Sequence, residues 1–186
     1  MKSMGMGMDE AKARERLEAR RKILFGRDSG CLQELLGLME AASHRALVLW
    51  AQDCVVSTLA AFEAACPGEA RPRIALERCA AWARGEIKMP EAKRAILAAH
   101  AVAKEGDDRR IQALVHAIGH AGATVHVKTH APGLAFYELT AIRLEAGSDW
   151  EEAVARRIGL YTQRLMYWSE HADDPGRAWA EFLRDE

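Results

Sequence analysis

Three histidines fall within residues 111–127, IQALVHAIGHAGATVHV, a stretch with no Asp, Glu, Lys or Arg in a chain that is 28% charged. Such a segment reads as a helix buried on nearly every side, and imidazoles inside it are either satisfied polar groups of a core or a site. At about 100° per residue, Ile111, Leu114, Val115, Ile118, Gly122 and Val125 make one apolar stripe, and His116, His120, His126 and His130 share the adjoining sector. His116 with His120, and His126 with His130, stand at i,i+4, the spacing at which two imidazoles on adjacent turns can share a metal. A catalytic zinc or iron also needs a carboxylate or a third ligand, which Glu138 or His100 would have to bring from elsewhere in space. The chain has no H-E-x-x-H, no Glu-x-x-His and no Cys–His ligand set, so neither a metal nor a cofactor is assigned. The expected role of the four rings is hydrogen bonding in the core or between helices, mostly out of solvent and resisting protonation. Gly119, Ala121, Gly122 and Ala123 would let neighbouring helices approach closely.

Asp53 is the second residue whose chemistry stands out, because the sequence around it, ALVLWAQDCVVSTLAAF, is apolar on most helical faces. A carboxylate there needs a partner, with Arg45, Arg73, Arg84 or a histidine as the expected one; acid–base work is the alternative. Cys54 and Ser57 lie beside it without a nucleophile elbow or oxyanion loop. No glycine-rich phosphate cradle occurs. The basic residues Arg14, Arg16, Arg20, Arg21 and Lys22 are interleaved with Glu15 and Glu18, the pattern of a solvated, salt-bridged helix rather than of a nucleic-acid reader.

The elements that must position these residues all have helical periodicity, Ala is abundant and β-branched runs are missing, so an all-α chain is expected. Helices are expected over 9–25, 32–39, 44–66, 72–84, 90–105, 109–127 and 134–144. Two more follow, over 148–168 from a Ser148-x-x-Glu151 capping box and over 174–183 from Asp174-Pro175. With 186 residues the natural reading is one domain, an irregular bundle of about eight helices around the charge-free one. Its expected parts are a disordered leader at 1–8, charged helices at 9–40, a core at 41–147 and acidic helices at 148–186 packed on that core. The net charge of -1 gives no bulk footprint for nucleic acid or an anionic membrane, but residues 145–186 hold 10 Asp and Glu against 5 Arg. Cys31, Cys54, Cys66 and Cys79 form no C-x-x-C and read as reduced, buried hydrophobes. No apolar run approaches the roughly 20 residues of a membrane span and no apolar signal region opens the chain, which points to the cytoplasm.

Four pieces resemble the Imm-5-like family of bacterial immunity proteins: HRALVLWAQDC at 44–54, RPR at 71–73 with CAAWARGEI at 79–87, AAHAVAKE at 98–105, and AIGHAGATVHVKTHAPGLAFYEL at 117–139. The resemblance implies a small helical cytoplasmic protein, assigned from genomic context to protecting the producing cell against a polymorphic toxin. It carries over no catalytic residue. The matching positions are Trp50, Asp53, Cys54, Trp82, Arg84, Gly85, His100, Gly119, His120, His126 and His130. Of these Trp50, Asp53, Trp82, Arg84, His100, His120, His126 and His130 are the expected centre or groove. The resulting expectation is a non-enzymatic binder of a cognate toxin, with Glu151, Glu152, Glu170, Asp173 and Asp174 facing a basic partner. One alternative is a small-ligand or metal-dependent enzyme using the histidine face with Asp53 or Glu138. Another is a structural protein self-associating, for example as a homodimer, through the Ala/Gly-rich helix.

Overall fold

The computed structural model describes residues 22–184. The expected leader at 1–8 and most of the expected helix at 9–25 lie outside them. Among the described residues there are eight α-helices and no strand. In chain order these are α1 (Gln33–Ala41), α2 (His44–Ala65), α3 (Arg71–Ala83), α4 (Met89–Val102), α5 (Arg109–Ala123), α6 (Ala131–Glu145), α7 (Trp150–His171) and α8 (Glu181–Arg184). The protein is an all-α bundle.

Local chemistry sets the helix starts. Ser43 caps α2 by accepting from the Ala46 amide at 3.1 Å, and Asp108 caps α5 by accepting from Arg110 and Ile111 at 2.8 and 3.1 Å. Pro72, Pro90 and Pro132 each occupy the first turn of a helix, where the missing amide hydrogen has no intrahelical partner to lose. For that reason Pro132 does not delay α6 to residue 134 as expected; the helix begins at Ala131.

Other boundaries differ from expectation. Residues 22–25 are not helical, and the Leu24 amide instead donates to Thr140 Oγ1 on α6 at 3.0 Å. Ser148 does not form its capping box: its hydroxyl bonds to Asp149, and α7 starts at Trp150 without a side-chain cap. The last helix is only α8, because residues 174–180 run irregularly through a turn at Gly176 and dock by an Ala180 amide to Ala83 carbonyl bond of 2.8 Å.

The largest correction concerns the charge-free helix, which stops at Ala123 rather than continuing to Val127. Thr124 turns its hydroxyl back onto the His120 carbonyl at 2.9 Å, and His44 Nε2 on α2 bonds to the Thr124 carbonyl at 2.6 Å. A carbonyl orphaned at the helix end thus gains a tertiary partner, so ending the helix here leaves no buried acceptor unpaired. A one-turn 3-10 segment, Lys128–His130, then reverses the chain into α6.

α5 packs against α2, α3, α4 and α6, and buries Leu114, Val115, Ala117, Ile118 and Ala121 in the main core with Trp50, Phe62, Leu134 and Leu139. α7 lies across α2, α6 and α1. A smaller cluster, with Val48, Cys79, Trp82, Ala92, Val125 and Leu183, sits under the C-terminal segment. α2 has the length and composition to cross a membrane, contrary to the sequence reading, but most of it is buried inside the bundle, as a core helix must be. The cysteines divide: Cys54 and Cys79 are buried, Cys66 at the end of α2 is half-buried and Cys31 in a 3-10 turn is exposed, so the expectation of four buried thiols fails at the last two.

Candidate functional site

Two helices and a turn bring together four imidazoles, but not the four expected. His116 and His120 lie on α5, His100 comes from α4, and His130 comes from the end of the 3-10 turn. Ring centroids are 5.6 Å apart for His100 and His116, and 5.4 Å for His120 and His130; Tyr137 of α6 bridges the two pairs at 4.9 Å from His116 and 5.2 Å from His120. Two glycines open the space. A Cβ on Gly119 would collide with the His100 ring, and one on Gly133 with the His120 ring. Helix α5 ends before His126, so that ring turns the other way, is exposed, and stacks on Trp82 at 5.9 Å. The expectation of four mostly buried rings therefore fails: the row is half-buried and His126 is outside it.

Desolvation, followed by repulsion from neighbouring imidazoles, holds His120 down to about 4. Burial lowers His100, His116 and His130 in the same direction, aided by His130 and Lys104 at His100, by His100 and Lys22 at His116, and by His126 at His130. His120 Nδ1 is buried with no hydrogen-bond partner, so protonating it would place an unsatisfied N–H in the interior. The row is chemically a set of neutral imidazoles. Among the described residues no three His, Cys, Asp or Glu are arranged to hold a metal ion, and Glu138, the carboxylate expected to complete such a site, points elsewhere.

Glu138 faces α7. It is 5% exposed and accepts from Arg157 Nη2 at 2.8 Å and from the hydroxyl of fully buried Tyr161. The same Arg157 nitrogen donates to the Cys54 carbonyl at 2.5 Å. Asp53 is half-buried and also turns to α7, accepting from Arg164 Nε and from Trp168 Nε1 at 2.8 Å. The expected partners Arg45, Arg73 and Arg84 go instead to Asp173, Glu63 and Glu86. Trp50 is core: its indole N–H donates to the Tyr161 carbonyl at 3.0 Å and its ring lies 5.3 Å from Tyr161. Trp82 is in the smaller cluster against His126 and Phe182, and Arg84 is on the surface. The expected groove residues thus occupy three separate places.

The acidic residues fall into two groups. Glu151 and Glu152 open α7, with Glu152 paired to Arg156; Glu170 closes it, and Asp173, paired to Arg45, and Asp174 follow. At 1.5 Å per residue the groups are about 27 Å apart along the helix. Exposed Leu160, Met166 and Tyr167 lie between them. Sequence reasoning missed Arg157, Tyr161, Arg164 and Trp168. Their i,i+4 spacing along α7, 157 to 161 and 164 to 168, was the available signal.

Cys54 and Cys79 are pushed up to about 12, mainly by burial, which leaves them thiols rather than nucleophilic thiolates at neutral pH. Buried Glu138 and half-buried Asp53 are each engaged by a guanidinium and by an aromatic donor. The class this defines is an all-α bundle whose polar groups are spent on holding helices together, with a half-open imidazole row and an acidic-ended outer helix. The chain belongs to the family described as Imm-5 like putative immunity protein, whose model matches residues 37–164. That match reaches through Arg157, Tyr161 and Arg164, and so includes both α7 partners of Glu138, one of the two α7 partners of Asp53, and the whole imidazole row. No curated protein and no solved structure matches the chain.

Proposed function

We propose that this chain binds a cognate toxin in the bacterial cytoplasm and neutralises it by occlusion, without catalysing a reaction. The observation that carries the reading is family membership across 37–164. The chemistry of the site supports it: the buried thiols are unreactive and the carboxylates are committed to ion pairs. The surface offered to the partner is the outer face of α7, with Glu151, Glu152, Glu170, Asp173 and Asp174 at its ends and Leu160, Met166 and Tyr167 between. An apolar centre with a charged rim is the anatomy of a specific interface, and a patch of about 800 Å² per partner spans roughly 30 Å, enough to include both acidic groups. Acidic rims steer a basic partner and act mainly on association rate.

Co-expression with the toxin encoded beside this chain is the test. Restored growth and a complex that survives purification are expected. Neutralising all five acidic residues should then slow association and flatten its salt dependence with little loss of stability. Absence of both rescue and complex with the unmodified chain would refute the reading; unchanged association after the five substitutions would refute the α7 face alone.

A further inference from the structure

The half-buried imidazole row invites a role that toxin binding does not require. His100 on α4, His116 and His120 on α5, and His130 just before α6 meet at one junction, with Tyr137 against both pairs. Charged and titratable neighbours come from every side. The turn after α4 adds Lys104, the segment before α1 adds Lys22, and the turn after α5 adds His126. Among the described residues no carboxylate acts on any of the four rings, since Glu138 is turned away to Arg157 and Tyr161. The rings are also held tightly, because the notches over Gly119 and Gly133 have room for His100 and His120 and for little else.

We propose that this junction is an acid-sensitive latch: with the imidazoles neutral it fastens α4 and the start of α6 to α5, and protonation forces these elements apart. Cations placed about 5–6 Å from one another, with no carboxylate among the described residues acting on them, repel, and the one backbone contact that favours protonated His120, from His130, is outweighed by its burial and by the neighbouring imidazoles. The device is independent of the immunity reading.

The direction follows from linkage. A histidine held below its unfolded value of 6.5 contributes its full stability above that pH and loses it as pH falls toward the folded value, about 4 for His120. His120 alone lowers the folding equilibrium constant roughly 25-fold between pH 7.5 and 5. The other three add to that factor in the same direction.

Urea unfolding of the full chain from pH 7.5 to 5 should show a loss exceeding 25-fold, and His100→Gln combined with His116→Gln should reduce it. Because that variant could fail to fold, hydrogen exchange of the unmodified chain supplies a second readout. Protection factors in α4 should fall between pH 7 and 5.5 while those in the centre of α2 hold. A folding constant that changes less than 5-fold over this range overturns the latch. So does an acid response that the paired substitution leaves intact, or a loss of protection shared equally by α4 and α2.

Discussion

Glu138 offers the sharpest test of how α7 is held. Replacing it by Leu removes the acceptor for Arg157 and for the Tyr161 hydroxyl, both on α7, while Arg157 keeps the Cys54 carbonyl and the face of the Tyr161 ring but loses its counter-charge. The guanidinium side chain is 11% exposed, so water cannot readily take over, and stranding a buried charge costs about 3–5 kcal/mol. In a chain of this length that corresponds to a fall in Tm of roughly 6–20 °C. Converting the whole cluster to apolar residues, Glu138→Leu with Arg157→Met and Tyr161→Phe, leaves no buried polar group unpaired and should recover most of the loss. The assay is urea unfolding followed by circular dichroism, with the single and triple variants compared at one pH. A single substitution costing under about 1 kcal/mol would mean that the cluster is hydrated, and a triple variant less stable than the single one would mean that the ion pair, rather than its disruption, carries the energy.

Asp53→Ala should destabilise by about 1–2 kcal/mol in urea unfolding and Asp53→Asn by less, because the amide oxygen still accepts from Trp168 Nε1 while solvent screens the lost pairing with Arg164. Equal stability of both variants and the unmodified chain would remove Asp53 from the α2–α7 contact. Gly133→Ala should lower Tm despite the roughly 1 kcal/mol gain in helix propensity, since its Cβ meets the His120 ring; in a His120→Ala background the same change should raise Tm, and an unchanged sign would disprove the notch. In the native protein iodoacetamide should label exposed Cys31 and spare Cys54 and Cys79, as mass mapping of peptides would show.

Periodicity, caps and proline positions made the helices legible, because those signals act within a few residues: Ser43 and Asp108 cap the helices expected from 44 and 109, and Pro90 lies in the first turn of the one expected from 90. The charge-free segment likewise announced the central helix α5, since only a position surrounded by other helices can dispense with charge. What no local pattern contained was where that helix ends. His44, 80 residues away, meets the Thr124 carbonyl, and the resulting stop sends His126 to Trp82, while His100 of α4 takes its place in the row. The partners of Asp53 and Glu138 were hidden for the same reason. A carboxylate on an apolar helix demands a partner, but over a hundred residues separate Asp53 from Arg164, and only the docking of α7 on α2 selects Arg164 from the many arginines of the chain. Residue types and spacing were enough for a helical bundle with imidazoles and carboxylates on its packed faces. Tertiary packing decided which of them meet, because a hydrogen bond or ion pair depends on ångström-scale placement that spacing along one helix does not convey.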